Sequence, residues 1–356
     1  MSWLTELARP EIRTLKAYEH ATWEPGLIRL HANELPWRTR FDASEAGLNR
    51  YPEPHPYELT AALAHFHGIE AARVLATRGS DEAIDLLIRS YCRAGSDAVI
   101  ICPPTFGMYA VAARIQGAAV IEVPLRREAG YACDFDAIRA QCTGHPETGR
   151  VKLVFLCSPN NPTGNRFERT AILALARDLQ GHALLVIDEA YVEFADEPSL
   201  LSELSSVPGL VLLRTLSKAY ALAGARCGVL IAHADVVALL RKVIQPYAVT
   251  QLTIETVLRA LSPAALEEMR AHAATIRSER ARVAAALSAH RGVRRVWPSQ
   301  ANFLLVEFED ALAALASAHA AGILVRDLRA ALKPAEALRL SIGSPEQNDR
   351  LLASLP

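Results

Sequence analysis

The chain has 356 residues, and its 38 lysines and arginines against 39 acidic residues leave a formal charge of -1, which supplies no overall attraction for nucleic acid or an anionic membrane. A 51% hydrophobic and 22% charged composition is that of a globular protein, and the length exceeds one compact core, so two domains are expected. No apolar run approaches the length needed to cross a bilayer, and the six cysteines are scattered without a C-x-x-C pair, a usage that suits free thiols in a reducing cytoplasm better than a disulfide framework or a zinc site.

Residues 1–40 hold Trp3, Tyr18, Trp23 and Trp37 among prolines with no clear period, and Glu6 and Arg9 interrupt any signal-peptide core. This segment is expected to pack against another part of the assembly. His31-Ala32-Asn33-Glu34-Leu35-Pro36-Trp37 sets polar groups beside a turn. The prolines of Pro52-Glu53-Pro54-His55-Pro56 forbid helix and sheet and stiffen the loop that carries Tyr51. From Tyr57 to about residue 234, helical patterns alternate with apolar runs expected as strands at 74–77, 98–102, 119–123, 151–157, 183–187, 210–215 and 228–231. Continuous Val/Ile/Leu runs mark a sheet covered by helices on both faces. A mostly parallel, seven-stranded α/β sheet is therefore expected over 41–245, with ligands outside the strands' carboxyl ends. Past Gln245-Pro246-Tyr247 the composition turns to Ala, Leu, Glu and Arg, helical but interrupted at Ser262-Pro263. Runs at 303–308, 323–326 and 338–342 complete the expectation of a smaller α+β domain over 246–356.

Residues with chemistry gather at the expected carboxyl ends. Gly79-Ser80-Asp81-Glu82 opens a helix whose Ala83, Ile84, Leu87 and Ile88 share one face. Its free N–H groups and positive dipole end suit an anion, though Ser80 serves equally as a plain N-cap. Pro103-Pro104-Thr105-Phe106 offers a flat ring, for a ligand or for the core. Ser158-Pro159-Asn160-Asn161-Pro162-Thr163-Gly164 offers amides that can hold a ligand or simply a turn. Asp188, ahead of Glu189-Ala190-Tyr191, ends a buried strand and needs a cation, a metal or several donors; no His/Cys cluster stands nearby for a metal, and a structural salt bridge is the plain alternative. Thr215-Leu216-Ser217-Lys218 closes the next strand. Its lysine is a solvated loop residue or, where apolar walls or a cation depress its pKa, a nucleophile. Eight residues on, Arg226 presents a fork of donors suited to a phosphate.

Taken together the parts fit pyridoxal 5'-phosphate. Its aldehyde needs a lysine amine, its ring nitrogen a carboxylate, its phenolic oxygen donors, its phosphate N–H groups, hydroxyls and an arginine, and its ring face an aromatic. A carboxylate about 4 Å from the ring nitrogen contributes roughly 4 kcal/mol at an effective dielectric near 20, about three pKa units, which keeps the pyridine charged at neutral pH. No G-x-G-x-x-G follows the first strand, which disfavours a nicotinamide dehydrogenase.

Arg50-Tyr51-Pro52-Glu53, Arg78-Gly79-Ser80-Asp81-Glu82, the strings 102–109, 157–164, 188–194 and 214–228, and Arg339-Leu340-Ser341-Ile342-Gly343 resemble the fold type I aminotransferases, and among them the histidinol-phosphate aminotransferase family, nearly end to end. The resemblance implies transamination between L-histidinol phosphate and 2-oxoglutarate, giving imidazole-acetol phosphate and L-glutamate. An aromatic amino acid aminotransferase or a decarboxylase of a phosphorylated amino acid is the same-fold alternative. It implies that Lys218 holds the cofactor aldehyde and shuttles a proton, that Asp188 pairs with the ring nitrogen, that Asn160 and Tyr191 donate to the phenolic oxygen, and that Phe106 stacks on the ring. Ser80, Asp81, Thr215, Ser217 and Arg226 would gather the phosphate, with Glu82 counted beside them. Tyr51 would reach the phosphate of a neighbouring subunit in a homodimer, with residues 1–40 packing on the small domain and the partner. Arg339 and Arg326 would hold the substrate's anionic end, with Tyr18 and Asn33 lining the pocket. Two positions depart from the family pattern: Phe106 stands where tyrosine is common, and Leu35 where many members carry a polar residue.

Overall fold

The computed structural model describes every residue except 1, 21, 23, 25, 144–148 and 334, so Trp23 lies outside the described residues. Seven strands form the main sheet: β1 Val74–Thr77, β2 Asp97–Ile101, β3 Ala119–Glu122, β4 Arg150–Cys157, β5 Leu184–Asp188, β6 Leu210–Thr215 and β7 Gly228–Ile231. Their order is β1-β7-β6-β5-β4-β2-β3. The β3-β2-β4-β5-β6 pairings are parallel, and β7 alone runs antiparallel to both its neighbours. The apolar runs mark the strands because successive side chains leave opposite faces of a sheet that is covered on both. Along β6, Leu210 and Leu212 enter one apolar cluster while Val211 and Leu213 enter the other; Leu185 and Ile187 against Leu184 and Val186 divide in the same way on β5. Each such side chain taken fully out of water contributes about 1.5–3 kcal/mol.

Beyond the main sheet, the helices Gln251–Ala260 and Pro263–Ser288 meet at the expected break. Ser262 caps the second by accepting a hydrogen bond from the Ala265 N–H, and Pro263 occupies the first turn, where its missing donor costs nothing. A second, antiparallel sheet follows in the order β10-β11-β9-β8, made of β8 Val293–Val296, β9 Phe303–Phe308, β10 Arg326–Asp327 and β11 Ala337–Ser341. Two details differ from the sequence reading. The run 323–326 pairs only at its end, since Leu324 is exposed and outside the sheet. The edge strand β8 was not expected, because its sequence Val-Arg-Arg-Val lacks an apolar run and its partly exposed side chains give no burial signal. Among the described residues no helix is long and apolar enough to cross a membrane, and all six cysteines are free.

Candidate active site

A cleft of about 830 Å³ opens at the carboxyl ends of β1, β2, β4, β5 and β6, with β10 and β11 of the small sheet forming its opposite wall. It is lined by Gly79, Ser80 and Asp81 after β1, by Phe106 and Met108 after β2, by Asn161 after β4, by Asp188 and Tyr191 at the end of β5, by Thr215, Ser217 and Lys218 after β6, by Arg226 before β7, and by Arg326 and Arg339.

The anion end is built from backbone. Gly79, at φ +80°, caps the helix Ser80–Tyr91, so the helix start, with the N–H groups its first turn leaves unpaired, lies at the cleft. A Cβ on Gly79 would lie 2.9 Å from Arg226 Nη2, and one on Gly228 would lie 2.4 Å from the Gly79 carbonyl carbon and 2.7 Å from Ser80 N. Only glycines let the helix start, the arginine and β7 approach this closely. Arg226 also reaches Asp81 Oδ2 at 3.4 Å, and the hydroxyl of Thr215 donates to Ser217 Oγ at 3.0 Å. Dipole, N–H groups, two hydroxyls and a guanidinium converge as a phosphate site requires.

At the other end of this cradle, Asp188 is 3% exposed and makes no ion pair among the described residues. Tyr109 donates to its Oδ2 at 2.7 Å and the Ala190 N–H to its Oδ1 at 3.1 Å. Burial, with added repulsion from Asp81 and Glu189, pushes its pKa up to about 6 despite those two donors. A buried carboxyl held short of full ionisation beside a cleft fits a cationic ligand atom, and a protonated pyridine nitrogen is one. Lys218 opens into the cleft with its amine 5.7 Å from the Tyr191 ring centroid. Partial burial first, then Arg339, lowers its pKa from the ordinary lysine value, with Asp188 and Asp81 pulling the other way. That is the condition for an amine nucleophile near neutral pH.

Asn161 ties the two walls together: its Nδ2 donates to the Tyr191 hydroxyl at 3.3 Å and its Oδ1 accepts from Arg339 Nη1. Arg326 and Arg339 are cross-strand partners on β10 and β11, and the Arg339 guanidinium sits 5.2 Å over the Phe303 ring. Phe106 meets Tyr109 edge to face at 5.6 Å. Ile101, Met108, Val111, Leu328 and Ala331 give the cleft an apolar flank.

The structure does not bring every expected residue to this cleft. Asn160 does not face the cleft. It is 1% exposed, its Nδ2 is spent on Pro104 O (2.8 Å) and Thr163 Oγ1 (2.6 Å), and its Oδ1 accepts from Thr105 (2.9 Å). It holds two loops together, and Asn161 takes the place at the cleft. Glu82 turns away too, accepting from Arg78 N at 2.7 Å and pairing with the Arg78 guanidinium at 2.6 Å. Within one chain Tyr51 lies outside this cleft, its ring 4.7 Å from Tyr247, and its N–H is held by Glu34. Tyr18 and Asn33 are exposed and do not line it either. The sequence reading also missed Tyr109, because a tyrosine on the inward face of a helix carries the signature of ordinary core packing.

The match to known proteins is extensive. The model of the family "Aminotransferase class I and II" matches residues 30–355. The histidinol-phosphate aminotransferase of Xylella fastidiosa (strain 9a5c) is 48% identical over 98% of this chain and 95% of its own length, and that of Stenotrophomonas maltophilia (strain R551-3) is 47% identical over the same shares. The solved histidinol-phosphate aminotransferase of Sinorhizobium meliloti, in complex with pyridoxal-5'-phosphate, superposes with a TM-score of 0.76 at 25% identity, over 86% of this chain and 82% of that one. With a full-length match of this kind, the chain belongs to the class I and II aminotransferases and, within them, to the histidinol-phosphate aminotransferases.

Proposed function

We propose that this chain catalyses the reversible transamination of L-glutamate and imidazole-acetol phosphate to 2-oxoglutarate and L-histidinol phosphate, a step of histidine biosynthesis, with pyridoxal 5'-phosphate as cofactor. The observation that carries this reading is the cleft in which the amine of Lys218 stands between a buried carboxyl, a glycine-built anion cradle and a pair of arginines. When bound, the cofactor supplies an aldehyde that accepts amino groups and a ring that takes up the electron pair released when a Cα–H bond breaks.

The chain supplies the rest. Lys218 holds the aldehyde and moves the proton to and from the substrate Cα. Asp188 keeps the ring nitrogen protonated, Asn161 and the Tyr191 hydroxyl donate to the phenolic oxygen, and Phe106 covers one ring face. Ser80, Asp81, Thr215, Ser217 and Arg226 hold the phosphate, Ser80 and Asp81 partly through their N–H groups. Histidinol phosphate has no carboxylate, so its phosphate takes the place that glutamate fills with carboxylates, between Arg339 and Arg326. Each charge-assisted bond there contributes about 1.5–3 kcal/mol. The apolar flank of Leu328, Val111 and Met108 suits a flat ring such as imidazole.

The reading extends to assembly. Leu27, Ile28, Leu30, Leu35, Trp37 and Phe41, close together in the chain, are between 63% and 89% exposed, and large apolar side chains gathered on a surface mark interaction sites. A second copy of the chain covers this strip in a cytoplasmic homodimer, and brings Tyr51 to the phosphate of the partner's site. In this arrangement residues 41–245 form the cofactor domain and 246–356 the small domain. Turnover measured on histidinol phosphate, phenylalanine and threonine phosphate tests the assignment. A clear preference for either of the last two would replace it with an aromatic aminotransferase or a decarboxylase.

A further inference from the structure

Asp188 is held by a residue that the reaction itself does not call for. Tyr109 projects from the helix Met108–Gln116 and is 0% exposed; its ring lies flat on Phe155 of β4, with centroids 5.0 Å apart and planes 12° apart. The ring cannot turn without opening the core, so the hydroxyl has one position, 2.7 Å from Asp188 Oδ2. The Ala190 N–H occupies Oδ1, and Asp188 pairs in register with Cys157 across β4 and β5. The other titratable groups facing this carboxyl are Asp81 on the helix after β1, Glu189 beside it on the chain, Cys157 on β4, and Tyr191 and Lys218 at the cleft. Two of these are carboxylates that oppose its charge. Burial keeps the Tyr109 phenol far above its ordinary pKa, so at every working pH it is a donor and never a competing base.

We propose that Tyr109 is a positioning residue that fixes the orientation and proton affinity of Asp188, and through it the degree to which the cofactor ring nitrogen is protonated. The inference rests on the assignment of Asp188 to that nitrogen. The sign follows from the geometry. A donor on Oδ2 stabilises the carboxylate and leaves the shared proton on the ring nitrogen. Without it the carboxyl grows more basic and draws the proton back. A hydrogen bond to a charged group is worth about a ten- to hundredfold change in proton affinity.

The experiment is 15N NMR of the holoenzyme loaded with cofactor labelled at the ring nitrogen, followed across pH. Tyr109→Phe should move the resonance toward that of neutral pyridine, the ratio of nitrogen-bound to carboxyl-bound proton falling about ten- to hundredfold, while thermal stability and cofactor content stay close to those of the parent. A fluorotyrosine installed at position 109 keeps ring and hydroxyl, strengthens the donor and should move the resonance the opposite way. It decides the matter even where the phenylalanine variant folds poorly. Asp188→Asn serves as the reference. If Asp188→Asn shifts the resonance and neither change at 109 does, Tyr109 has no such role. If Asp188→Asn also leaves it in place, the assignment of Asp188 is itself wrong.

Discussion

Adding one methyl group at Gly228 should damage the cofactor site without touching any polar side chain. Gly228 opens β7, in register with Thr77 of β1 and Thr215 of β6. A Cβ there would lie 2.4 Å from Gly79 C, 2.7 Å from Ser80 N and 2.8 Å from Gly79 Cα. All three are backbone atoms, so no side chain can swing aside. Ordinary contact begins near 3.4 Å, so the helix start and β7 must part by about 1 Å. Overpacking of this kind costs about 1–3 kcal/mol. The displaced Ser80 N–H is one of the donors assigned to the phosphate. A movement of about 1 Å takes a hydrogen bond beyond its useful range, forfeiting roughly 1.5–3 kcal/mol of charge-assisted binding, a ten- to hundredfold weaker cofactor affinity. Titration of Gly228→Ala apoprotein with pyridoxal phosphate, together with denaturant unfolding, reads both quantities. Unaltered affinity and stability would refute the packing account. Lowered stability with unaltered affinity would show that the helix start does not hold the phosphate.

Three further outcomes are expected. Lys218→Ala should lose the visible absorbance of bound cofactor and all measurable turnover, and near-parental activity would remove the lysine from the mechanism. Asn160→Ala should cost about 1.5–4.5 kcal/mol in unfolding, three hydrogen bonds at roughly 0.5–1.5 each, whereas Asn161→Ala should leave stability nearly intact and lower kcat; the reverse pattern would restore Asn160 to the site. His67 is half-buried, and desolvation together with the nearby Arg214 charge lowers its pKa to about 3. The unfolded chain takes up that proton near pH 6.5 and the folded one does not, so this group's stabilisation is complete above about pH 6.5 and is lost as pH falls from there toward 3. His67→Gln should flatten the acid limb of the unfolding free energy by up to about 1.4 kcal/mol per pH unit, and parallel limbs for the two proteins would rule the histidine out.

The sheet was legible where burial left an unambiguous pattern. β1, β6, β7 and β9 begin and end at the expected residues, and every residue in them is buried. β8 was invisible because it is a short edge strand with two arginines, and an edge needs to bury little. The residues that line the cleft at the strand ends were legible as chemical types. Which of two adjacent asparagines faces the cleft was not, since Asn160 and Asn161 share composition and neighbours, and only the path of the loop divides them. Tyr18 and Asn33, exposed and outside this chain's cleft, illustrate another limit. A single chain's sequence carries no signal for whether a residue serves its own cleft or a neighbour's.

One reversed strand in an otherwise parallel sheet has a geometric consequence. A parallel strand is entered from the rim opposite to the one where ligands gather, so the residue just ahead of it lies far from the chemistry. Running the other way, β7 is entered from the ligand rim, and Arg226 arrives there without a crossover. Four residues at about 3.3 Å each would otherwise put it some 13 Å away, beyond the reach of any guanidinium. The reversal lets one sheet edge receive contributions from both ends of its strands, so Lys218 and Arg226 line one cleft although only eight residues separate them along the chain.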